Sequence, residues 1–143
     1  MRRWLYIGAA TIALLATATA LAKPPKGAVR GRFNKSTCLA CDGSLVRLLS
    51  TSNVWCAWNK NNHVIVHVSF RNHAVEHVTL SVDPAYTIKN GGTHGDGITN
   101  LQSIGINGNA FRAVFIDAGK PDGVPAKSPI GVCKPHLFDE KSG

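Results

Sequence analysis

Hydrophobic and polar residues alternate with a period of two through the middle of the chain. The clearest example is residues 63–71, where β-branched and aromatic residues occupy every second position and polar residues mostly fill the others. This spacing is typical of a half-buried β-strand. It predicts that one side of the strand faces a core, through Val64, Val66, Val68 and Phe70.

A second alternating segment follows at residues 75–82, with Val78, Leu80 and Val82 predicted to point inward. Pro84 should end this strand or confine it to a sheet edge, because proline cannot donate to a ladder. Two shorter apolar segments, residues 54–58 and 130–133, are also predicted strands. Residues 44–50 fit a helical turn and a strand equally well.

Residues 101–117 predict a β-hairpin. The dipeptide Asn107-Gly108 lies between two apolar stretches and is a strong two-residue turn signal. That turn would place Ile106 opposite Asn109 and Ile104 opposite Phe111. The hydrophobic pattern agrees with this register.

Six or seven short strands without a long amphipathic helix predict an all-β fold, a small antiparallel β-sandwich. The run Val-x-Val-x-Phe-x-Asn, from Val66 to Asn72, resembles bacterial immunoglobulin-like secreted modules. The resemblance implies immunoglobulin-like architecture and no particular activity. The usual core tryptophan is not in its place, since Trp58 follows Cys56 by only two positions.

The first 22 residues have the form of a secretory signal peptide. Two arginines are followed by an apolar run over residues 7–21, and Ala20-Leu21-Ala22 supplies a small-x-small cleavage site. The run is too short for a membrane span, which needs about 20 apolar residues. We therefore expect cleavage after Ala22 and a secreted, periplasmic or extracellular protein.

Four cysteines in an exported chain predict two disulfide bonds, with three possible pairings. Cys38–Cys56 with Cys41–Cys133 is the preferred pairing, because bridges that close long loops restrict the unfolded chain most. A redox-active Cys38-x-x-Cys41 would need a βαβ context that the surrounding sequence does not suggest. The spacing also fits no zinc finger or ribbon.

Positive charge is concentrated at the start of the exported chain. The whole chain has a formal charge of +8, and the segment from residue 23 to 36 has no acidic residue. Its two prolines and two glycines predict a flexible or extended basic arm, followed by a single domain over residues 37–143. The candidate binding residues are the cations of this arm, Lys23, Lys26, Arg30, Arg32 and Lys35.

The chain has six histidines, and the four between residues 63 and 77 are predicted to lie on a solvated polar face of a sheet. His63, His67, His73 and His77 are close in sequence, but residues four apart in a strand are about 13 Å apart and cannot share one metal ion. No metal and no cofactor is therefore predicted. The glycine-rich residues 91–97 lack the strand–loop–helix context of a phosphate site. They contain His94 and Asp96, the first place to look for acid–base chemistry.

These patterns predict a non-enzymatic binding module with no catalytic residues. Its partner would be an anionic polymer of the cell envelope or a secreted or surface protein. The contact would be made by the basic arm or by the loops at one end of the sandwich. A second hypothesis is an inhibitor or antimicrobial effector that uses the proline-rich residues 119–129, with Lys120 and Lys127 at the contact. A third is a small hydrolase or redox enzyme, which should depend on His94 or Cys38.

Overall fold

The computed structural model describes residues 23–31, 38–39, 53–95 and 101–139. Within these ranges the chain is all-β and has no helix, and the strand pairing is antiparallel except for one two-residue parallel pair. The strands are β1 (Val29–Gly31), β2 (Cys38–Leu39), β3 (Val54–Trp58), β4 (Val64–Arg71), β5 (Val78–Asp83), β6 (Tyr86–Ile88), β7 (Gly92–His94), β8 (Gln102–Ile106), β9 (Phe111–Asp117), β10 (Ile130–Cys133) and β11 (His136–Asp139). The described residues include no helix long and apolar enough to cross a membrane.

Strands β1, β3, β4 and β9 form one sheet in that order, which we call the front sheet. The strand predicted at residues 63–71 is confirmed as β4, and its four predicted inward residues are almost completely buried. β4 pairs with β9 over seven consecutive residues without a register shift. The front sheet is therefore built around β4, whose apolar side faces the core.

The remaining strands form what we call the back layer, with hydrogen-bonded orders β2-β11-β5-β8 and β10-β6-β7. β5 is followed directly by β6, and β10 by β11. His136 pairs with Asp83 and Cys133 with Tyr86, so the two ladders share one register and Pro135 lies opposite Pro84. The Lys134 N–H donates to the Ala85 carbonyl at 3.0 Å beside this pair, so the prolines, which have no N–H group, occupy a position that contributes no ladder bond.

The core lies between the front sheet and the back layer. It contains Val54, Val66, Leu80, Tyr86 and Ile104, among other buried residues from both. The predicted inward positions Val78, Leu80 and Val82 are confirmed as buried. Two apolar layers packed face to face are consistent with a β-sandwich.

A disulfide bond joins the front sheet to the back layer. Cys56 in β3 is bonded to Cys133 in β10, with 5.6 Å between their Cα atoms. The preferred pairing of Cys38 with Cys56 and Cys41 with Cys133 is therefore wrong. The loop-entropy argument considered only the unfolded chain, whereas native packing brings the half-cystines of two facing strands together.

The hairpin predicted over residues 101–117 is also wrong. β8 pairs with β5 in the back layer, and β9 pairs with β4 in the front sheet. A turn does form, closed by a bond from the Ala110 N–H to the Asn107 carbonyl at 3.2 Å, with Asn109 at a φ of 55°. This turn carries the chain from one layer to the other, so Ile104 does not face Phe111.

The buried side chain of Asn72 holds this crossover in place. Its amide donates to the carbonyls of Glu76 at 2.8 Å and of Ile106 and Asn107 at 3.2 Å, and its oxygen accepts from the Ala74 N–H. The backbone N–H of Asn72 donates to the Ala110 carbonyl at 2.8 Å. One side chain thus fixes two loops at the same end of the sandwich.

Candidate functional site

The outer side of the front sheet carries a row of four residues, one from each strand. Arg30 in β1 pairs with Trp55 in β3, Trp55 pairs with His67 in β4, and His67 pairs with Phe115 in β9. Directly paired residues project from the same side of a sheet. We call Arg30, Trp55, His67 and Phe115 the cross-strand row.

The three rings of the cross-strand row form a compact aromatic cluster. Trp55 and His67 are stacked, with centroids 5.0 Å apart and planes at 10°. Phe115 contacts both, at 4.7 Å from His67 and 5.8 Å from Trp55. Trp55 and His67 are buried, while Phe115 is 60% exposed. The cluster therefore presents one solvent-accessible apolar ring supported by two rings beneath it.

His67 was predicted to lie on a solvated polar face, and this prediction is wrong. Its side chain is 1% exposed, because the neighbouring tryptophan and phenylalanine rings pack against it. The alternation in β4 correctly put His67 opposite the core side of the strand. It did not indicate that this second side would be covered by aromatic neighbours from β3 and β9.

Two polar atoms of the aromatic cluster are buried without a hydrogen-bond partner, Trp55 Nε1 and His67 Nε2. His67 Nδ1 lies 2.9 Å from the Asn53 carbonyl, so Nδ1 carries the proton and Nε2 has a lone pair. Burial lowers the pKa of His67, with the Asn53 hydrogen bond acting in the opposite direction. The imidazole is therefore neutral, and its Nε2 lone pair is buried without a donor.

A histidine–aspartate pair lies beside the row. His63 Nδ1 is 3.0 Å from both carboxylate oxygens of Asp117, and Asp117 Oδ1 also accepts from the Gly119 N–H at 2.8 Å. The hydrogen bond from His63 holds the pKa of Asp117 below its usual value. Both side chains are partly exposed. The pair links the start of β4 to the end of β9.

The basic residues predicted to bind a partner are only partly described. Lys23, Lys26 and Arg30 are exposed, and Arg30 lies within β1. Arg32 and Lys35 lie outside the described residues. The structure thus places a paired strand before residue 37, the expected start of the domain. One candidate cation is held next to the aromatic cluster by that strand.

The other histidines are dispersed. His73 and His77 are exposed in the connection between β4 and β5. Among the described residues, no group of three or more histidine, cysteine, aspartate or glutamate side chains could hold a metal ion. The sandwich therefore separates histidines that are close in sequence.

The glycine-rich segment contains strand β7, and its histidine is engaged. His94 Nε2 is 2.7 Å from the Gly91 carbonyl, and its ring stacks on Tyr86 with centroids 5.9 Å apart. Burial raises the pKa of Tyr86 to about 12, so this phenol stays protonated. Asp96 lies outside the described residues. His94, the first place to look for acid–base chemistry, is thus half-buried and bonded to its own loop.

The proline-rich residues 119–129 are attached to the β3–β4 connection. Trp58 Nε1 donates to the Ser128 carbonyl at 2.7 Å, and Lys127 Nζ donates to the Asn59 carbonyl. Lys120 is exposed and Lys127 has a φ of 65°. This loop is consequently held against the body, with one of its two candidate lysines used as a tether.

The cross-strand row was missed by the sequence analysis. Its residues come from four strands that are not neighbours in the chain, and Phe115 was assigned to a hairpin with β8. The only available signal was that Trp55 and His67 each alternate with core residues, which places both on the outer side. Pairing β9 with β4 was needed to bring in Phe115.

No family model matches this chain, and none of the curated proteins compared with it matches either. A search of solved structures found a crystal structure of a DUF1425 family member from Shewanella sp. pv-4. The chain is 14% identical to it with a TM-score of 0.40, over 75% of this chain and 94% of that one. A likeness of this size assigns neither a family nor a function.

Proposed function

We propose that this protein is an exported, non-enzymatic module that binds an anionic polymer of the cell envelope through the outer side of its front sheet. The observation that carries the proposal is the cross-strand row. It sets the guanidinium-bearing residue Arg30 in line with an exposed aromatic ring on a rigid sheet.

Positive charge and exposed apolar surface are both present at this site. Lys23 and Lys26 are exposed and immediately precede β1, so they add positive charge at the same edge as Arg30. Such a cluster attracts polyanions with a salt-dependent affinity. Phe115, 60% exposed, adds an apolar contact area that a solvated arm alone would not provide.

Binding of the full chain to dextran sulfate, with uncharged dextran as the control polymer, tests the proposal. We expect binding to dextran sulfate that weakens as salt rises, and that falls at least about fivefold in R30E and in F115A. K89E is the matched charge control, because Lys89 is exposed in the β6–β7 turn away from the row. Equal binding by R30E, F115A and K89E would refute the site.

Export and the second disulfide belong to the same proposal. With Cys56 bonded to Cys133, the two other cysteines of the chain, Cys38 and Cys41, are left to pair with each other. Intact mass before and after reduction should show a chain that starts at Lys23 and loses four protons on oxidation. A retained segment 1–22 or two alkylatable thiols would argue against an exported, doubly bridged protein.

The finer architecture we propose is immunoglobulin-like. It is supported by a disulfide that joins two facing layers through β3 and β10, as in immunoglobulin domains, where the bridge connects the sheets. The pairing of the described strands in two facing layers is consistent with this architecture.

An inhibitor role is the second candidate, favoured by the tethering of residues 119–129. The bonds from Trp58 and Lys127 hold the loop in one arrangement, and a loop ordered before binding loses less entropy on binding. A panel of secreted proteases should reveal inhibition that K120A abolishes and K89A preserves. Absence of inhibition across the panel would remove this candidate.

A further inference from the structure

Strand β9 is an open edge of the front sheet. Of the strands that the structure describes, only β4 pairs with it. Two other strand edges nearby, on β1 and β8, are in contact with other parts of the chain. On β1, a side chain at Gly31 would collide with the Cys133 backbone, so β10 packs tightly there, and on β8 the Gly105 carbonyl accepts a bond from Arg112 Nη1 at 2.6 Å.

The backbone pattern shows which groups β9 presents at this edge. The Asn72 N–H bonds to the Ala110 carbonyl, and the Ala118 N–H bonds to the Val64 carbonyl. Antiparallel ladders use every second residue of a strand, so the even-numbered residues between these points bond to β4. The N–H and C=O groups of Ala113 and Phe115 therefore point away from the sheet.

β9 has neither lysine nor proline, although it carries two charged residues, Arg112 and Asp117. Natural edges avoid pairing by means of lysine, proline, bulges or very short strands. β9 has seven residues, Phe-Arg-Ala-Val-Phe-Ile-Asp, with no register shift against β4. Its outer side carries Phe111, Ala113 and Phe115, and Phe115 is 60% exposed. A strand of this kind is a template for another strand.

We propose that a second copy of the chain pairs with this edge, β9 against β9 and antiparallel, to form a symmetric dimer with a continuous eight-stranded sheet. The register places Ala113 opposite Phe115 of the second copy, with Val114 at the two-fold axis. Each large ring then lies over a small residue, and the outward N–H and C=O groups of both strands bond to each other.

The positions of charged residues support a second copy of the chain as the partner of the β9 edge. They also support the register given above. In it, Phe111 lies opposite Asp117 of the second copy. The guanidinium of Arg71 lies 5.8 Å from the centroid of the Phe111 ring, on the outer side of the sheet next to this edge. Arg71 thus approaches the carboxylate of the second copy, and symmetry repeats the contact.

The test is sedimentation velocity of the full chain over a micromolar to millimolar series, with its start residue read from intact mass. We expect a monomer–dimer equilibrium. A113P removes an outward N–H without removing a bond to β4, so it should weaken dimerisation at least about tenfold while the circular dichroism spectrum is retained. F115K serves the same purpose if A113P does not fold.

Charge reversal tests the register. R71E and D117K should each weaken the dimer, and the double variant R71E/D117K should restore much of it. V132K is the matched control, because Val132 is 51% exposed on β10 and far from this pairing, and it should leave dimerisation unchanged.

A wild-type chain that stays monomeric throughout, or a dimer that A113P and F115K leave intact, would overturn the proposal. So would a monomer that captures an unrelated extended peptide at β9. Ala113 lies outside the cross-strand row. A monomeric A113P that still binds dextran sulfate therefore separates this inference from the proposed function.

Discussion

At the scale of single residues, Asn72 has more structural consequence than its polarity suggests. A buried asparagine that bonds to three carbonyls and one N–H takes the place of a short ladder between two loops. Hydrophobic side chains of similar size cannot supply those bonds, so this position requires an amide.

Replacing Asn72 by alanine should lower the free energy of unfolding by about 2–4 kcal/mol, because several buried carbonyls lose their donor. Urea denaturation measures the change. N61A is the matched control, since Asn61 is exposed, and it should change stability by less than about 0.5 kcal/mol. Equal stability of N72A and N61A would show that water replaces the amide.

His67 gives the protein a specific acid sensitivity. Its pKa is lowered by burial from the ordinary 6.5, so the folded chain holds it neutral while the unfolded chain takes up a proton. The unfolded state then binds more protons below pH 6.5, and stability falls as the pH drops from there toward the lowered pKa.

Unfolding free energies measured between pH 7 and pH 5 should therefore decrease in the wild type and change much less in H67F. H73Q is the control, because His73 is exposed, and it should keep the wild-type slope. An unchanged slope in H67F would contradict the assignment.

Asp117 contributes to the pH dependence of stability at a lower pH than His67. Its pKa is below 3.8, so the stability from its bond with His63 is present above that pH and is lost only as the pH falls through the lowered value.

At the scale of elements, the alternation of apolar and polar residues was sufficient to predict several strands. It was not sufficient to predict which strands pair with each other. β4 and β5 follow from the alternation of apolar and polar residues, β3 and β10 follow from short apolar segments, and Pro84 ends β5 as expected. The partner of β9 could not be deduced, because Asn107-Gly108 signals a turn without saying which layer each arm enters. The turn is held in its observed place by Asn72, which directly follows β4 and is distant from the turn in sequence.

The cross-strand row could not be predicted from the sequence for the same reason. Arg30, Trp55, His67 and Phe115 become neighbours only through three separate strand pairings. The cysteine pairing is similar, because the count predicts disulfides while the packing of β3 against β10 selects Cys56 and Cys133. Local sequence patterns predict which residues of a strand lie on the same side of the sheet. Only the tertiary arrangement shows which residues of different strands lie side by side.

The interlayer disulfide should contribute strongly to stability. Its half-cystines are 77 residues apart, and a loop of that length corresponds to about 4 kcal/mol in the loop-entropy model. The variant C56A/C133A should lose about 3–5 kcal/mol, measured by guanidinium denaturation under oxidising conditions. The matched variant C38A/C41A should lose less, because the proposed Cys38–Cys41 bridge would close a loop of only four residues and so restrict the unfolded chain little. A larger loss in C38A/C41A would contradict this ranking.

At the scale of the whole molecule, one core shared by two layers predicts cooperative unfolding. Trp55 and Trp58 report on the outer and core sides of the front sheet, and Tyr86 lies in the core on the back layer. We expect tryptophan fluorescence, near-ultraviolet tyrosine dichroism and far-ultraviolet dichroism to give the same midpoint. Separate midpoints for the two sets of probes would mean that the layers unfold independently.

The facing prolines of the back layer also constrain how the length of this chain can change. Pro84 and Pro135 share one position of the ladder, where no donor is required. An insertion or deletion of one residue in either strand would place a proline against a residue that needs its bond and would turn the following side chains to the other side. Single-residue insertions should thus be tolerated in the turn at residues 89–91 and rejected between Val78 and Ile88, unless the opposite strand changes length at the same time.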